Sequence, residues 1–324
     1  MSNLKAKALE KGQTIGIISP ASACNKDDLI KGIEYLESIG YKTKISNNAL
    51  KSYNGYAGTD EERVSDINAF FKDDTIDGIF CSRGGYGSIR ILDKIDYDII
   101  KSNNKIFAGY SDITSLHLSI YQKTKLITFH APMVDTDMSI NKVKDGISTF
   151  SKESLNMMFN TLSSTHNIEY KNPDNTNFES ISDGIAKGIL IGGNFIVMMS
   201  SIYTEYFPEL QNNNYILYIE EIDEKPYKID RMISTLINSK LIGNAIKGIV
   251  VGDFENCDLK EGEKATGFKT AKETILERLS NINIPVLTNI RCGHNKMKLT
   301  MAHGAEVEID TYKKTFRTLE NVLI

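Results

Sequence analysis

Short apolar runs of strand length alternate with amphipathic helical patterns, and this alternation most constrains the fold. Thr14–Ser19 is an apolar run that stops at Pro20, and Asn25 opens a segment whose apolar residues recur at helical spacing up to Gly40. A second strand pattern follows directly at Lys42–Ser46. Strands and helices that alternate at this spacing predict a parallel sheet with helices on both faces. In such sheets ligands bind beyond the carboxyl ends of the strands.

The alternation continues to residue 109. Thr59–Glu62 has the Thr-x-x-Glu pattern of a capping box, which predicts the start of another helix. Ile76–Cys81 and Lys105–Gly109 have strand character, and Ser88–Leu92 between them has helical character. The first part of the chain therefore predicts one α/β unit.

A polar stretch rich in Asn, Ser and Thr lies between about Ser139 and Asp183. We predict an N-terminal α/β domain at residues 1–150, a linker region at 151–183 and a C-terminal domain at 184–324. The predicted elements of this last part are a helix at Phe195–Tyr203, a strand at Tyr215–Glu220, a helix at Ile229–Ile237, a strand at Ala245–Val251, a helix near Thr270–Leu279 and late strands near Lys298–Thr300 and Ala305–Ile309.

The charge balance argues against polyanionic partners. The chain has 38 Lys and Arg residues against 42 Asp and Glu, and the net charge of −4 leaves no basic surface expected for nucleic acid or an anionic membrane. Its apolar runs are shorter than the roughly 20 residues of a membrane span. Residues 1–12 lack the apolar region of a secretory signal, so we expect a cytoplasmic protein.

Four cysteines are scattered along the chain, at Cys24, Cys81, Cys257 and Cys292. They form no Cys-x-x-Cys pair and have no histidine at zinc-ligand spacing, which predicts reduced thiols and no metal site. A thiol nucleophile at Cys81 or Cys292 stays open, although a small buried apolar side chain is the favoured interpretation of each.

Ser111 lies where the strand pattern of Ile106–Gly109 meets a helical pattern. A serine at such a turn projects its hydroxyl at the carboxyl edge of the sheet, and the N–H groups that follow it can stabilise an oxyanion. The alternative is that Ser111, Asp112 or Thr114 only caps the helix, since such caps are common.

The segment Cys81–Gly87 follows a buried strand and carries three glycines in four positions. Glycines let the backbone approach a ligand closely, so this loop suits an oxyanion or anion site. A flexible turn between strand and helix explains the glycines equally well. The loop lacks the spacing of a dinucleotide site and the lysine of a phosphate loop, which disfavours nucleotide binding.

An apolar strand pattern at Tyr215–Ile219 runs into four acids within Glu220–Glu224. A carboxylate at a strand end can orient a histidine. The alternatives are a solvated acidic turn and a Mg²⁺ or Ca²⁺ site, although the spacing is not that of a calcium-binding loop.

His294 follows a strand pattern and a glycine, which places an imidazole on a loop where it can act as a general base. Four other histidines compete for that role. We expect His117 to pack or cap within its helix and His166 to be solvated, while His130 and His303 stay open.

Together these segments, in this order, resemble the LD-carboxypeptidase family, which also contains the microcin C immunity peptidases. The similarity covers nearly the whole chain, and eight motifs in register make it specific. The motifs are Ile18–Ser22, Tyr56–Arg63, Arg83–Gly87, Gly109–Thr114, Ile127–Met133, Gly192–Asn194, Tyr218–Glu224 and Cys292–His294.

The resemblance implies a serine peptidase with a Ser-Glu-His triad. Carried over by motif, Ser111 is the nucleophile, Glu220 the orienting acid and His294 the base. It implies no metal and no cofactor.

The same resemblance supplies candidates for substrate binding. Backbone N–H groups of Asp112 and of Gly84 or Gly85 would bind the oxyanion, and Arg83 would steer an anionic substrate.

The resemblance also implies an α/β fold, with an N-terminal, mostly parallel sheet flanked by helices and a C-terminal α/β domain rich in β structure. The implied reaction removes the terminal D-alanine from an L-centre diamino acid of a muropeptide tetrapeptide during cell-wall recycling in the cytoplasm, often in a homodimer. Two alternatives are an immunity peptidase that cleaves a peptidyl-nucleotide antibiotic and a non-catalytic α/β protein that binds a small ligand.

The chain contains no Trp. Family members often carry one near the segment that here includes Tyr203, Tyr206 and Phe207, and one of these aromatic residues would replace it in the wall of the substrate pocket. The loop Arg83–Gly87 resembles the recycling carboxypeptidases more than the immunity enzymes.

Overall fold

Two β-sheets with parallel strands at their centres form the frame of the molecule. The computed structural model describes residues 3–139, 143–144, 147–148, 150–211 and 213–324. Its strands are β1 (Thr14–Ile18), β2 (Lys42–Ile45), β3 (Gly78–Cys81), β4 (Ile106–Gly109), β5 (Thr128–His130), β6 (Val143–Lys144), β7 (Ile147–Ser148), β8 (Glu179–Ser182), β9 (Ile185–Asn194), β10 (Tyr215–Ile222), β11 (Ile246–Glu255), β12 (Val286–Thr288), β13 (Met301–His303), β14 (Glu306–Asp310) and β15 (Thr315–Thr318). Its α-helices are α1 (Lys26–Ser38), α2 (Asp60–Lys72), α3 (Tyr97–Ser102), α4 (Thr114–Thr124), α5 (Val134–Asp137), α6 (Lys152–Leu162), α7 (Phe195–Ser201), α8 (Pro226–Asn238) and α9 (Ala271–Leu279).

The first sheet has the strand order β13-β5-β4-β3-β1-β2. Strands β2, β1, β3, β4 and β5 are parallel, and β13 joins β5 in the antiparallel sense. Apolar side chains from α1 and α6 cover one face, and those from α2 and α4 cover the other. This sheet of parallel strands between two helical layers confirms the predicted α/β class.

The second sheet has the order β15-β14-β9-β10-β11-β12-β8. Its centre, β9 to β12, is parallel, and β14, β15 and β8 add antiparallel edges. Helices α7, α8 and α9 pack on one of its faces. The C-terminal half is therefore an α/β unit rich in β structure, as expected.

Local sequence signals set several element boundaries. Thr59 and Glu62 form the predicted capping box at the start of α2, in which each side chain satisfies a backbone N–H of the other residue. The helical pattern at Ser88–Leu92 is a 3₁₀ helix that extends to Lys94. The Thr-x-x-Glu pattern thus predicts the start of α2 correctly.

Tertiary pairing overrides the sequence pattern in the last quarter of the chain. The strand predicted near Lys298–Thr300 is wrong by a few residues, because β13 begins at Met301, where pairing with His130 of β5 starts. The backbone N–H of Lys298 donates instead to Ser154 Oγ. Although β13 comes from the C-terminal half, it completes the first sheet.

The segment 151–183, predicted as a linker region, contains helix α6 and strand β8. Leu155, Met158, Phe159 and Leu162 of α6 lie in the core of the first sheet. Ser180 and Ser182 of β8 pair with the edge strand β12 of the second sheet. This segment therefore packs against both sheets.

None of the helices in the described residues is long and apolar enough to cross a membrane.

His117 of α4 gives the fold a pH dependence. Burial lowers the pKa of His117 to about 4, and the neutral ring donates from Nε2 to the Gly109 carbonyl and accepts at Nδ1 from the Thr128 hydroxyl. The unfolded chain binds this proton near pH 6.5, so the free energy of unfolding falls as the pH drops from 6.5 towards 4, by about 1.4 kcal/mol per pH unit within that window.

We expect His117→Gln to reduce the slope of the free energy of unfolding against pH between 6.5 and 4. The reduction should be at most that of one bound proton, about 1.4 kcal/mol per pH unit. Urea unfolding curves at several pH values between 7 and 4.5 measure it. His166→Gln, at an exposed site, is the matched control and should keep the wild-type slope. Equal slopes for His117→Gln and wild type would contradict the assignment of this pH dependence to His117.

Candidate active site

Ser111 occupies a sharp turn between β4 and α4 at the carboxyl edge of the first sheet. Its φ of 66° is in the left-handed region, which a residue other than glycine adopts only under constraint from its surroundings. A 3₁₀ turn at Ser111–Ile113 leads directly into α4. This strand-turn-helix geometry agrees with the turn expected for a serine nucleophile, and a helix cap does not require it.

Three side chains from distant parts of the chain form one line of hydrogen bonds. The His294 Nδ1–H donates to Glu220 Oε2 at 2.8 Å, and the Ser111 hydroxyl donates to His294 Nε2 at 2.9 Å. Because a carboxylate only accepts, Glu220 places the proton of the neutral ring on Nδ1 and leaves Nε2 free to accept from the serine. Glu220 is fully buried, and the His294 side chain is 12% exposed. The structure thus brings together the three residues of the sequence-based hypothesis.

Two glycines make room for Glu220. A Cβ atom on Gly293 would lie 2.7 Å from Glu220 Oε2, and one on Gly252 would lie 3.2 Å from Glu220 Cβ. Gly293 also has a φ of 127°, which glycine adopts most readily. Nothing in the local sequence singles out Gly252, since its role depends on β11 lying beside β10.

The glycine loop after β3 lies against Ser111. A Cβ on Gly84 would be 2.8 Å from Ser111 Cβ and 3.2 Å from the Asp112 nitrogen. Gly85 has a φ of 107° and approaches Ser22, whose hydroxyl accepts from the Tyr86 N–H at 3.0 Å. The loop is therefore held by Ser22, and its backbone lies close to Ser111.

Asp112 and Arg83 flank this contact. The Asp112 side chain is buried and accepts from the Ser88 N–H at 2.8 Å, and burial raises the pKa of its carboxyl group. Arg83 is half-buried, with Nη1 donating to the Ala23 carbonyl at 3.4 Å. The Asp112 carboxylate thus has a structural contact of its own, so only the backbone N–H of Asp112 enters the oxyanion hypothesis.

The other histidines do not bond to Ser111. His117, His130 and His303 are buried together between the sheets, and burial lowers the pKa of each. His166 is exposed. His117 packs and bonds locally as expected, which leaves His294 as the histidine in contact with the serine.

The cysteines are free thiols. Cys81 and Cys292 are fully buried, and burial raises the pKa of both well above its usual value. A protonated, buried thiol is a poor nucleophile. The interpretation of these residues as small apolar side chains is confirmed.

The acidic turn at the end of β10 is partly buried. Glu220 bonds to His294, and Glu221 is buried as well. Across the described ranges of the chain, no group of three or more His, Cys, Asp or Glu side chains is arranged to hold a metal ion.

Glu221 connects the second sheet to helix α4, which follows Ser111. Its carboxylate accepts from Asn194 Nδ2 and from the Ile196 and Ile222 N–H groups at 2.8 to 2.9 Å. Asn194 in turn donates its backbone N–H to Thr114 Oγ1 at 3.0 Å. Burial and the adjacent Glu220 carboxylate raise the pKa of Glu221 to about 7. The side chains of Glu220 and Glu221 therefore bind different partners on opposite faces of β10.

A polar turn from the predicted linker holds the loop that carries His294. Asn172 donates from Nδ2 to the Asn289 carbonyl at 2.7 Å and accepts from the Arg291 N–H at 2.8 Å. Arg291 pairs with Asp174 at 2.7 Å and with Asp253 at 3.4 Å. Burial raises the pKa of Asp253 to about 7, although Arg291 opposes this shift.

A buried ion pair lies on another side of His294. Lys298 Nζ lies 2.6 Å from Asp137 Oδ1 and donates to the Tyr110 hydroxyl at 3.1 Å, and the Tyr110 ring packs edge-on against His294 at 5.1 Å. Burial opposes the charge of Lys298, but Asp137 and Tyr110 raise its pKa above the usual value. Lys298 comes from the segment that follows His294, and Asp137 from the half of the chain that carries Ser111, so the pair joins the two halves.

We expect Lys298→Met to lower the free energy of unfolding by about 3 to 5 kcal/mol, because it leaves the Asp137 carboxylate buried without a counter-charge. The double variant Asp137→Asn with Lys298→Met removes both charges and should recover most of that loss. Denaturant titration of the three proteins measures this. Lys298→Met protein as stable as wild type would contradict the expected dependence of stability on the Asp137–Lys298 ion pair.

The aromatic residues expected to replace a tryptophan have different surroundings. Tyr206 packs on Tyr97, and its neighbour Glu205 contacts Lys123 near the end of α4. Tyr203 is 66% exposed, and Phe207 lies in the core of the second sheet. That one of them lines the substrate pocket stays a prediction.

Comparisons with known families agree with this architecture. Residues 15–131 match the family described as LD-carboxypeptidase N-terminal domain, and residues 187–309 match LD-carboxypeptidase C-terminal domain. The chain is 36% identical over 315 residues to the probable murein peptide carboxypeptidase of Bacillus subtilis, covering 97% of this chain and 93% of that protein. It is 31% identical over 345 residues to the microcin C7 self-immunity protein MccF of Escherichia coli, covering 99% and 97%.

Solved structures show the same similarity. MccF in complex with glutamyl sulfamoyl guanosine superposes with a TM-score of 0.86 at 26% identity, covering 99% of this chain and 100% of that one. The muramoyltetrapeptide carboxypeptidase of Oxalobacter formigenes superposes with a TM-score of 0.79 at 25% identity, covering 94% and 97%.

Proposed function

This chain belongs to the LD-carboxypeptidase family, and on that premise we propose that it is a serine carboxypeptidase that removes the terminal D-alanine from muropeptide tetrapeptides. The observation that carries the proposal is the line of hydrogen bonds from Ser111 through His294 to Glu220. A non-catalytic binding protein needs no such line, and that alternative predicts side chains that stay apart.

In the proposed mechanism the Ser111 oxygen attacks the scissile carbonyl carbon while its proton passes to His294 Nε2. Glu220 holds the ring by Nδ1 and compensates the positive charge that forms on it. His294 then gives the proton to the leaving amine of D-alanine. Water then loses a proton to the same Nε2 as its oxygen bonds to the acyl carbon. The bond from that carbon to Ser111 Oγ breaks, and His294 returns the proton to the Ser111 oxygen.

The oxyanion of the tetrahedral intermediate needs donors beside Ser111. We assign this role to the backbone N–H of Asp112 and to that of Gly84 or Gly85, since the Gly84 backbone lies against both Ser111 and the Asp112 nitrogen. Single donors of this kind contribute about 3 kcal/mol to transition-state stabilisation. We propose that Arg83 binds the anionic part of the substrate.

Incubation with a tetrapeptide that ends in a diamino acid and D-alanine tests the function. We expect mass spectrometry to show the tripeptide and free D-alanine as products. Release of any other residue from the tetrapeptide, or no cleavage at all, would contradict the proposal. We further expect a cytoplasmic homodimer, which fractionation and light scattering test.

An immunity peptidase is the second candidate, because the fold superposes on MccF over 99% of the chain with a TM-score of 0.86. A direct comparison of turnover decides between the two. A higher kcat/KM for an aminoacyl-sulfamoyl nucleoside than for the tetrapeptide would favour the second candidate.

A further inference from the structure

Arg63 of α2 is an arginine whose side chain is fully buried. Its Nη1 donates to the Pro20 carbonyl at 2.7 Å and to the Gly87 carbonyl at 2.9 Å, and its Nη2 pairs with Asp60. Its Nε is buried with no acceptor among the described residues. Burial of a charged group and burial of an unsatisfied N–H both cost stability, so the stability of α2 alone does not explain an arginine at this position.

The two carbonyls that accept from Arg63 belong to loops at the carboxyl edge of the first sheet. Pro20 follows β1, Gly87 ends the glycine loop after β3, and these two strands pair side by side. Gly87 has a φ of 126°, and a Cβ atom built on it would lie 2.9 Å from Arg63 Nη1. A glycine at this position therefore lets the backbone reach the guanidinium, and Arg63 holds the far end of the loop.

The peptide unit between Gly87 and Ser88 connects Arg63 to Asp112. In a planar trans peptide the C=O and the N–H point in opposite directions. Here the Gly87 carbonyl accepts from Arg63, and the Ser88 N–H donates to Asp112 Oδ2 at 2.8 Å. This peptide unit is therefore held from both sides, and Asp112 is also the residue whose backbone N–H we assign to the oxyanion.

Ser22 holds the start of the same loop. The Ser22 N–H donates to the Gly84 carbonyl at 3.3 Å, and Ser22 Oγ accepts from the Tyr86 N–H at 3.0 Å. The N–H groups of Gly84 and Gly85, by contrast, have no acceptor within the described part of the chain. The contacts at both ends of the loop thus fix its path and leave available the two N–H groups proposed for the oxyanion.

We propose that Arg63 is a positioning residue, which fixes the Gly87–Ser88 peptide so that the Gly84–Gly85 backbone and the Asp112 N–H keep their places beside Ser111. The inference rests on the proposed function, in which these N–H groups bind the oxyanion. It goes beyond that function by assigning a residue whose own partners are Pro20, Gly87 and Asp60. Loss of these contacts would let the loop shift, and a displacement of about 1 Å in such a site can slow a reaction by about 10²-fold.

Steady-state kinetics on the tetrapeptide test this role. In Arg63→Met we expect kcat to fall by about 10- to 100-fold, with KM within about threefold of wild type, because the oxyanion forms only in the transition state. Arg63→Lys should have an intermediate kcat, since an ammonium group replaces only part of the fork of a guanidinium. The Gly87 carbonyl also accepts from the Arg90 N–H, and Asp60 also pairs with Arg90, so neither group loses its last partner in the variants.

Ile67→Ala is the matched control. Ile67 lies one turn after Arg63 in α2 and is buried in the core of the first sheet. Its truncation weakens the packing of α2 but leaves the hydrogen bonds of Arg63 in place, so kcat should stay within about threefold of wild type. Arg63→Met protein that lost stability as Ile67→Ala does and kept a wild-type kcat, or that changed only in KM, would overturn the inference.

A reagent that needs no peptide separates this inference from the proposed reaction. An activated serine oxygen displaces fluoride from the phosphorus of a fluorophosphonate, and the intact mass of the protein gives the rate of labelling at Ser111. We expect Arg63→Met to slow labelling about as much as it slows kcat, and Ile67→Ala to label at the wild-type rate. If wild type is labelled but leaves the tetrapeptide intact, the proposed substrate is wrong, and the labelling rates still decide the role of Arg63.

Hydrogen exchange decides that role even for a protein in which Ser111 reacts with neither compound. The segment 82–90 contains the N–H groups of Tyr86 and Ser88, which donate to Ser22 and Asp112. Mass spectrometry of this segment should show faster exchange in Arg63→Met than in wild type, and wild-type exchange in Ile67→Ala. Unchanged exchange of the segment in Arg63→Met would contradict the inference, whatever the reactivity of Ser111.

Discussion

Replacing Ser111 with alanine should lower kcat for release of D-alanine by about 10⁴- to 10⁶-fold. The Ser111 hydroxyl is the atom that donates to His294 Nε2 at 2.9 Å, and nothing in its place can form the acyl intermediate. Activity that remains would come from water attacking a substrate still bound by the loop and oriented by the oxyanion donors. Product release measured by mass spectrometry over long incubations gives the residual rate.

Ser115→Ala is the matched control for this experiment. Ser115 lies one turn along the same segment, is fully buried, and its Oγ has no hydrogen-bond partner among the described residues. We expect that variant to keep the wild-type rate within a few-fold, because the substitution removes no satisfied hydrogen bond. Ser111→Ala protein that still turns over at a rate close to wild type would exclude Ser111 as the nucleophile.

The three residues of the proposed triad could be predicted from the sequence because each lies at a local signal. Ser111 comes at a junction of strand and helix patterns, Glu220 near a strand end, and His294 after a glycine. The acidic turn shows the limit of such signals. Nothing local separates Glu220 from Glu221, and only the pleat of β10, which turns adjacent side chains to opposite faces, assigns one to His294 and the other to Asn194.

The supports of the site could not be predicted, because each joins segments that are far apart in the chain. Asn172 bonds to Arg291, which is 119 residues away, and Lys298 pairs with Asp137 across 161 residues. Asn172 lies in a stretch whose composition is typical of a linker, and Lys298 in one with strand character. Burial and pairing are properties of the assembled sheets, and neither leaves a pattern in the neighbouring residues.

Assembly across the two halves explains why these supports exist. Ser111 belongs to the first sheet, whereas Glu220 and the loop that carries His294 follow strands of the second, so the 2.9 Å distance from Ser111 to His294 depends on how the halves are joined. Asp137–Lys298 on one side and Thr114–Asn194–Glu221 on the other connect the halves within a few residues of the proposed triad. A small relative shift would break the hydrogen bond between Ser111 and His294.

The neighbouring glutamates allow catalysis and assembly to be separated by experiment. We expect Glu220→Gln to lower kcat by about 10³- to 10⁴-fold, because a neutral amide does not compensate the imidazolium that forms during proton transfer. Its free energy of unfolding should equal or exceed that of wild type. Glu220 Oε1 is buried with no partner among the described residues, so a neutral side chain removes an unfavourable buried charge.

Glu221→Gln should show the opposite balance. The Glu221 oxygens accept three N–H donors, and a glutamine NH₂ group must face at least one of them, which costs about 1 to 3 kcal/mol of stability. The hydrogen bond from Asn194 to Thr114 should weaken as well, so we expect kcat to fall. The fall should be smaller than in Glu220→Gln, because Glu221 bonds to Asn194 and not to His294. Steady-state kinetics and urea unfolding of both variants measure the two effects. If Glu221→Gln proved the slower enzyme and Glu220→Gln the less stable protein, the assignment of the two carboxylates would be reversed.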